Sequence, residues 1–227
     1  MSQPVNTVKK PVSIKKTILR VLLYFVVLDV CVITLYPYFA MLCTALKNRV
    51  EIFSGGTVLP VVPLWSNFID IWSRAPMAKY MLNSVLIAGG STIIAMLCGI
   101  PAAYALARMK FKGQTAFLGF VIVSQMFAPV VLLIGIYQVM QRLGLTDNIL
   151  GLIFINAWNE YTVALCLIST DDYKPLTVGI NTFNGYDMIE WQYLFAASIF
   201  AIIPVVILFM SIEKNLVSGL ASGGVKG

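Results

Sequence analysis

Five long apolar stretches constrain this chain more than any other feature of its sequence. They comprise residues 21–46, 80–107, 113–141, 148–170 and 191–212, and Asp29 and Glu160 are the charged residues inside them. Each stretch is at least as long as the ~20 residues that a helix needs to cross a bilayer. Lipid satisfies no backbone polar groups, and the short alternating segments of a membrane β-barrel are absent. The predicted fold class is therefore all-α, a polytopic transmembrane helical bundle with about five spans.

Composition agrees with a membrane protein and excludes several kinds of chemistry. Hydrophobic residues make up 59% of the chain and charged residues 11%, whereas soluble domains carry about 25% charge. Without histidine there is no H-E-x-x-H zinc site and no histidine general base. No G-x-x-x-x-G-K-[ST] sequence provides a phosphate-binding loop, so the chain should not hydrolyse ATP itself. We therefore expect no enzymatic activity and no catalytic residues.

The sequence also predicts no cofactor and no metal site. The four cysteines, Cys31, Cys43, Cys98 and Cys166, all lie in apolar stretches without C-x-x-C spacing. Such thiols are typical of buried, inert side chains, and neither a disulfide framework nor a zinc site is expected.

The distribution of basic residues predicts the topology and conflicts with five crossings. Residues 1–20 contain five basic residues and no acid, and residues 108–112 contain three basic residues. Both segments are expected on the cytoplasmic side, and a nucleic-acid-binding arm is the weaker reading of the first. A single crossing by residues 148–170 would put the acidic loop 171–190 inside and the C-terminal lysines outside. The positive charges favour an even number of crossings instead.

Ionisable residues within the apolar stretches are the first candidates for function. Asp29 lies about two turns into the first stretch, where it either bonds to a neighbouring helix or takes part in transport. In the fourth stretch, one helical turn brings together five polar or amphipathic side chains: Trp158, Asn159, Glu160, Tyr161 and Thr162. This cluster either lines a pathway or forms a buried network between helices. The two interpretations are equally compatible with the sequence.

Several sequence runs point to one family. They are Pro101-Ala102-Ala103-Tyr104-Ala105-Leu106-Ala107-Arg108 with Phe111-Lys112-Gly113, Met126-Phe127-Ala128-Pro129, Trp158-Asn159-Glu160 before Pro175-Leu176-Thr177-Val178-Gly179, and the glycine-rich C-terminus. In these runs the chain resembles the inner-membrane permease subunits of bacterial ABC importers for carbohydrates, specifically the maltose-type G subunit family. The resemblance extends along nearly the whole chain.

The resemblance implies a function and a set of partners. Members form part of a sugar translocation pathway in the bacterial inner membrane and pair with a second permease subunit. Two ATP-binding subunits hydrolyse ATP, and an extracytoplasmic sugar-binding protein delivers the sugar; nucleic acid is not a partner. By analogy, an external loop should face the binding protein through Asp171, Asp172, Tyr173, Pro175 and Thr177. The tail should face the ATP-binding subunits through Gly223, Gly224, Lys226 and Gly227.

One part of the family pattern is absent. Members carry the rest of span four, a cytoplasmic coupling loop with a Glu-Ala-Ala signature and the start of span five before Trp-Asn-Glu, and they have six spans. Here four residues separate Ile153 from Trp158, and no Glu-Ala-Ala sequence occurs. Residues 148–170 then either cross the membrane once or form a hairpin that enters and leaves on one side. Two full crossings would need about 40 residues.

The predicted organisation is a basic cytoplasmic leader at 1–20, a transmembrane permease domain at 21–212 with a gap near 153–158, and a tail at 213–227. Two alternatives to an importer permease remain. The first is a truncated, non-transporting paralogue or assembly partner that does not couple to ATP. The second is a proton-coupled secondary transporter that uses the two intramembrane acids.

Overall fold

A computed structural model of the chain describes residues 14–55, 57–109, 111–126, 129–155, 161–185 and 188–223. The regular elements of these residues are helices. They are α1 (Ile14–Ala45), α2 (Arg49–Phe53), α3 (Asn67–Arg74), α4 (Met77–Arg108), α5 (Gln114–Gln125), α6 (Pro129–Arg142), α7 (Ile149–Ile155), α8 (Tyr161–Leu167), α9 (Leu176–Gly179), a 3₁₀ turn (Ile180–Phe183) and α10 (Trp191–Gly223). The predicted helical class is confirmed. Helix α1 begins within the predicted leader, and α10 continues into the predicted tail.

Three of the five predicted spans are single long helices. The segments Ile18–Ala45, Met77–Arg108 and Trp191–Glu213 are each long and apolar enough to cross a membrane. We call the end of the bundle at Ala45, Met77 and Trp191 the outer end and the opposite end the inner end. The outer ends of α1, α4 and α10 meet in one hydrophobic cluster, so α1 runs in the opposite direction to the other two helices.

The third stretch is divided into two helices, which differs from the prediction of one. Helix α5 begins beside the inner end of α4, where the Gln114 side-chain amide donates to the Leu106 carbonyl at 2.6 Å. Helix α6 ends at the outer end, next to the turn at Asp147. Pro129 is the first residue of α6, a position at which proline loses no helix hydrogen bond. Together the two helices carry the chain across once.

The fourth stretch is a hairpin, and the prediction of a fifth span is wrong. Helices α7 and α8 have seven residues each, so each is about 10 Å long and neither can cross a bilayer. The Asp147 N–H donates to the Leu167 carbonyl at 2.9 Å, which joins the beginning of the hairpin to its end. The Asp147 carboxylate also accepts from the Thr170 N–H at 3.1 Å and from the Ser169 N–H. A single crossing would separate these residues by about 30 Å.

The hairpin explains how five apolar stretches are compatible with the even number of crossings that the basic residues favour. Of the two topologies that the sequence left open, the structure adopts the one in which residues 148–170 enter and leave at the outer end. The chain then crosses four times, through α1, α4, the pair α5 and α6, and α10. Both described termini lie at the inner end together with Arg108, which is the even parity that the basic residues favour.

Two hydrophobic clusters form the core, and both lie in the outer half of the bundle. The first joins α1, α3, α4 and α10 through residues that include Ala45, Ile71, Met77, Tyr80 and Ala196. The second packs the hairpin and α9 against α4 through Ile87, Leu152, Val163, Ala164, Leu167, Ile168 and Val178. Packing is close at Gly90, where an added Cβ would lie 2.9 Å from the Ile153 side chain.

The inner half of the bundle has few contacts between helices. Helix α1 is exposed from Ile18 to Phe39, and the described side chains of α10 are exposed after Pro204. These side chains are apolar, so lipid is their natural solvent. Pro37, Pro101 and Pro204 lie inside helices in this half or at its border. Cys43 is buried, but the prediction of buried thiols is wrong for the other three cysteines, which lie on outward-facing helix surfaces.

Candidate functional site

The candidate site is the loop 171–190 at the outer end of the bundle, together with the helix ends that hold it. Asn83 and Ser84 lie two turns into α4 and are almost completely buried, at 3% and 2% exposure. The Asn83 side-chain amide donates to the carbonyls of Asp172 and Lys174, both at 3.0 Å. The Ser84 hydroxyl accepts from the Leu176 N–H at 2.8 Å. Buried backbone groups need such partners, so these two side chains fix the path of the loop across the bundle.

Tyr80 forms the floor of the loop one turn before Asn83. Its ring is fully buried, and a Cβ added at Gly179 would lie 2.2 Å from the ring, so glycine is required for this approach. The phenol oxygen lies 3.4 Å from the Asp171 carboxylate and 3.5 Å from the Thr182 hydroxyl. The ring therefore supports the loop from below while its hydroxyl reaches the polar surface.

Charged side chains surround this platform in three ion pairs. Lys79 pairs with Asp172, Lys174 with Asp171 at 2.7 Å, and Arg74 with Glu190 at 3.3 Å. The Arg74 guanidinium also lies 4.1 Å from the centre of the Tyr193 ring. The hydrogen bond from Lys174 is the main cause that holds the pKa of Asp171 below its usual value, although partial burial acts in the opposite direction. All three pairs are largely exposed, so each contributes little stability.

The structure brings together the loop residues that the sequence singled out. Asp171, Asp172, Tyr173 and Thr177 are exposed at the outer end, whereas Pro175 is buried beneath them. Of the predicted pathway residues, Asp29 lies on the exposed surface of α1, and the described residues make no ion pair or hydrogen bond with it. Tyr161 and Thr162 begin α8 and are exposed, because α8 buries Val163, Ala164 and Leu167 instead.

Several predicted positions lie outside the described residues. They are Trp158, Asn159 and Glu160 in the hairpin, and Gly224, Lys226 and Gly227 in the tail; Gly223 is the last residue of α10. No sequence pattern predicted the roles of Asn83, Ser84 and Tyr80, which hold the loop, or of Asp147, which closes the hairpin. For Asn83 and Ser84 the sequence did contain a signal, because they are two adjacent polar residues inside an apolar stretch.

An apolar groove lies next to the loop, between α1, α4 and α10. Its volume is about 820 Å³, and its lining includes Met41, Met81 and Ile202. The only hydroxyl groups among its lining residues belong to Tyr38, Ser84 and Thr177. A sugar needs many hydrogen-bond partners, whereas an apolar surface of this kind suits packing against a helix or lipid. The groove is therefore not a sugar site by itself.

No protein-family profile matches the chain, but individual proteins do. The inner membrane ABC transporter permease protein YcjP of Escherichia coli is 27% identical, over 94% of this chain and 99% of the relative. The trehalose/maltose transport system permease protein MalG of Thermococcus litoralis is 24% identical, over 92% and 97%. The chain is thus similar to ABC transporter permeases over nearly its whole length. Its fold also matches a crystal structure of a bacterial ABC transporter involved in the import of alginate, with a TM-score of 0.71 at 16% identity, over 91% of this chain and 99% of that chain.

The alignments also measure what this permease lacks. The alignment with YcjP has 276 positions, but 94% of the 227 residues of this permease is about 213, which leaves about 60 positions without a counterpart. The sulfoquinovosyl glycerol permease SmoH of Agrobacterium fabrum aligns over 254 positions and 85% of this chain, about 193 residues, which again leaves about 60. Sixty residues are enough for two half-spans and a loop, the segment that the resemblance indicates is missing between α7 and α8.

Proposed function

We propose that this permease is the inner-membrane subunit of a bacterial carbohydrate ABC importer and forms part of the sugar translocation pathway. The observation that carries the proposal is the end-to-end similarity to permeases named for sugar transport. They include MalG for trehalose and maltose, SugB of Mycobacterium tuberculosis for trehalose and MelC of Bacillus subtilis for melibiose, raffinose and stachyose. These names differ in substrate, so they support a class of substrate and no single sugar.

The partners follow from what this chain does not supply. It has no phosphate-binding loop, so two ATP-binding ABC subunits would provide the energy. A second permease subunit would cover the apolar groove between α1, α4 and α10, since three hydroxyl groups among its many apolar side chains cannot line a sugar pathway. In this arrangement Asp29 and the cluster 158–162 face the second permease or the pathway. Residues 223–227 approach the ATP-binding subunits from the inner end.

The external loop would receive the extracytoplasmic sugar-binding protein. Asp171, Asp172, Tyr173 and Thr177 present carboxylate, phenol and hydroxyl groups on a surface of fixed shape. That shape is supported by the bonds from Asn83 and Ser84 and by the buried ring of Pro175. A platform that is already ordered loses little conformational freedom on binding, which favours recognition by a rigid partner.

The proposal is tested by purifying the tagged full chain from its own membranes and assaying the product in vesicles. We expect an ATP-binding subunit and a second permease to copurify, and sugar uptake to require ATP and to be blocked by vanadate. A double substitution, Asp171→Asn with Asp172→Asn, should weaken stimulation of ATP hydrolysis by the binding protein. The matched control Asp70→Asn, on α3, should leave this stimulation unchanged.

Two results would contradict the proposal. Purification without any ATP-binding subunit would indicate a non-transporting paralogue or assembly partner. Uptake driven by a proton gradient in the absence of an ATP-binding subunit would indicate a secondary transporter.

A further inference from the structure

Helix α3 has three distinct sides. Asn67 and Ile71 are buried against the bundle, at 4% and 0% exposure, and the Asn67 amide donates to the carbonyls of Ala45 and Lys47. A second side is polar and consists of Asp70 and Arg74. The third side is an apolar and exposed strip, with Ile69 at 73%, Trp72 at 42% and Trp65, just before the helix, at 64%. At 3.6 residues per turn Asp70 and Arg74 lie about 100° or more from Ile69 and Trp72, whereas Ser73 lies beside Ile69 at the border of the strip.

The contacts of α3 place this strip below the outer end of the bundle. The Phe68 and Trp72 rings meet the Phe200 ring edge-on, with centroids 6.1 Å and 5.3 Å apart. Phe200 is nine residues into α10, about 13 Å along the helix axis from Trp191. It lies inside the apolar segment Trp191–Glu213, which is long enough to span a membrane. The strip therefore lies beside a membrane-spanning surface and not above it.

The charged C-terminal end of α3 lies at the outer end of the bundle, where contact with water is expected. Arg74, its last residue, pairs with Glu190 just before α10 and packs on Tyr193 in its first turn. Helix α3 thus descends from the aqueous edge at Arg74 toward the depth of Phe200.

The segment before α3 extends the same surface. No charged residue occurs from position 52 to position 69. In this segment Val58, Leu59, Val61 and Val62 are exposed by 48% to 80%. A run of this composition is costly to leave in water, but it is stable at the boundary between lipid headgroups and acyl chains.

From these observations we propose that α3 and the preceding segment form a lipid-binding anchor in the outer leaflet. Trp65, Ile69 and Trp72 contact the boundary between headgroups and acyl chains, and Asp70 and Arg74 face the water. Tryptophan favours this boundary because its ring is apolar and its N–H can bond to headgroups. Lipid fits better than a protein partner, since the strip is narrow, is bordered by polar side chains and lies beside the membrane-spanning segment of α10.

Spin labels at two neighbouring positions of α3 test the anchor. The four native cysteines are replaced by serine, and Ile69→Cys and Asp70→Cys are made separately in the full chain. Each protein is labelled and reconstituted into vesicles of phosphatidylethanolamine and phosphatidylglycerol. Power saturation then compares collisions with oxygen, which concentrates in lipid, and with a water-soluble nickel chelate. We expect the oxygen-to-nickel ratio to exceed one at position 69 and to fall below one at position 70, because the two positions lie about 100° apart on the helix.

The other outcomes each overturn the proposal. A high nickel collision rate at position 69 would place the strip in water. Low collision rates for both reagents there would mean that protein, such as a second copy of the chain, covers it.

A second experiment serves if the cysteine-free background does not fold. In it, the substitutions Trp158→Phe and Trp191→Phe leave Trp65 and Trp72 as the tryptophan fluorophores. Brominated lipid should then quench them more strongly than aqueous iodide, and the reverse order would exclude the anchor. Neither experiment depends on transport, so a failed uptake assay would not affect the result.

Discussion

The outer and inner halves of this permease are built from the same long helices but differ in packing. Helix α4 shows the contrast within a single element. Its buried residues, Met77, Tyr80, Asn83, Ser84, Ile87 and Ser91, recur every three or four positions and end at Ser91. The outer half has the hairpin, α3 and the external loop to pack against, whereas the inner half has no equivalent partner among the described residues. A long apolar helix therefore forms part of a core only where other elements pack against it.

The difference in packing between the two halves bears on the segment that the resemblance indicates is absent between α7 and α8. Helices α7 and α8 stop after seven residues, and the inner part of α4 becomes exposed just beyond the point where the Ser91 hydroxyl donates to the Ile153 carbonyl at 2.9 Å. We propose that the relatives carry these roughly 60 positions between α7 and α8, where they extend the two arms toward the inner end. The outer half does not depend on these positions, because its contacts join residues that this chain contains.

The largest expected effect concerns the sides of the membrane. In a background without the native cysteines, Tyr173→Cys should react with an impermeant maleimide added to intact cells, because the hairpin returns the chain to the outer end. Phe111→Cys, in the turn between α4 and α5, should react only after the membrane is opened. Both side chains are exposed, at 41% and 45%, so the two positions are matched. Labelling of position 173 only in opened membranes would mean that residues 148–170 cross the bilayer and that the hairpin is wrong.

A smaller effect compares two isoleucines of α4. Ile87 lies in the core of the outer half at 1% exposure, whereas Ile93, in the inner half, is 61% exposed. Ile87→Ala should lower the free energy of unfolding by about 2–5 kcal/mol, because it leaves a cavity. Ile93→Ala should change it much less, because lipid fills the space. Thermal unfolding in nanodiscs measures both, and equal losses would show that the two halves are packed alike.

The smallest expected effect is a pH dependence in the external loop. Because Lys174 holds the folded-state pKa of Asp171 below its usual 3.8, their pair stabilises the fold when the pH is above that value. This contribution is lost as the pH falls through the lowered pKa, and for an exposed pair it should be less than about 1 kcal/mol. Melting temperatures should thus decrease less steeply below about pH 5 in Asp171→Asn than in the unsubstituted protein. The control Lys174→Gln should behave like Asp171→Asn, and a slope that neither substitution changes would exclude this pair as its origin.

Part of this architecture follows from composition and charge. The apolar stretches located α1, α4 and α10, and the basic residues favoured an even number of crossings. The sequence did not choose between a single crossing and a hairpin for residues 148–170, because a run of 23 apolar residues satisfies the length rule for one span. It also did not predict that α3 packs against α10, although Trp65 and Trp72 in the loop 47–79 are aromatic residues of the kind found at membrane interfaces.

The sequence predicted which loop forms the candidate site, but it did not predict which residues hold that loop in place. The exposed loop residues Asp171 and Asp172 were singled out by resemblance, but Pro175 was placed with them although it is buried. The residues that hold the loop are 89 to 92 positions away in the sequence. No local pattern predicts that an amide in one helix will satisfy two carbonyls at such a separation.

The sequence by itself determined that this chain is a helical membrane protein and which of its residues can enter lipid. Composition and charge suffice for this, because the free energy of placing a side chain in lipid depends mainly on the side chain. Only the tertiary structure decided that the fourth stretch turns back at Asp147, that the core lies in the outer half and that α3 lies against α10. These outcomes depend on hydrogen bonds and close packing between distant residues, whose energies exist only when the partners meet.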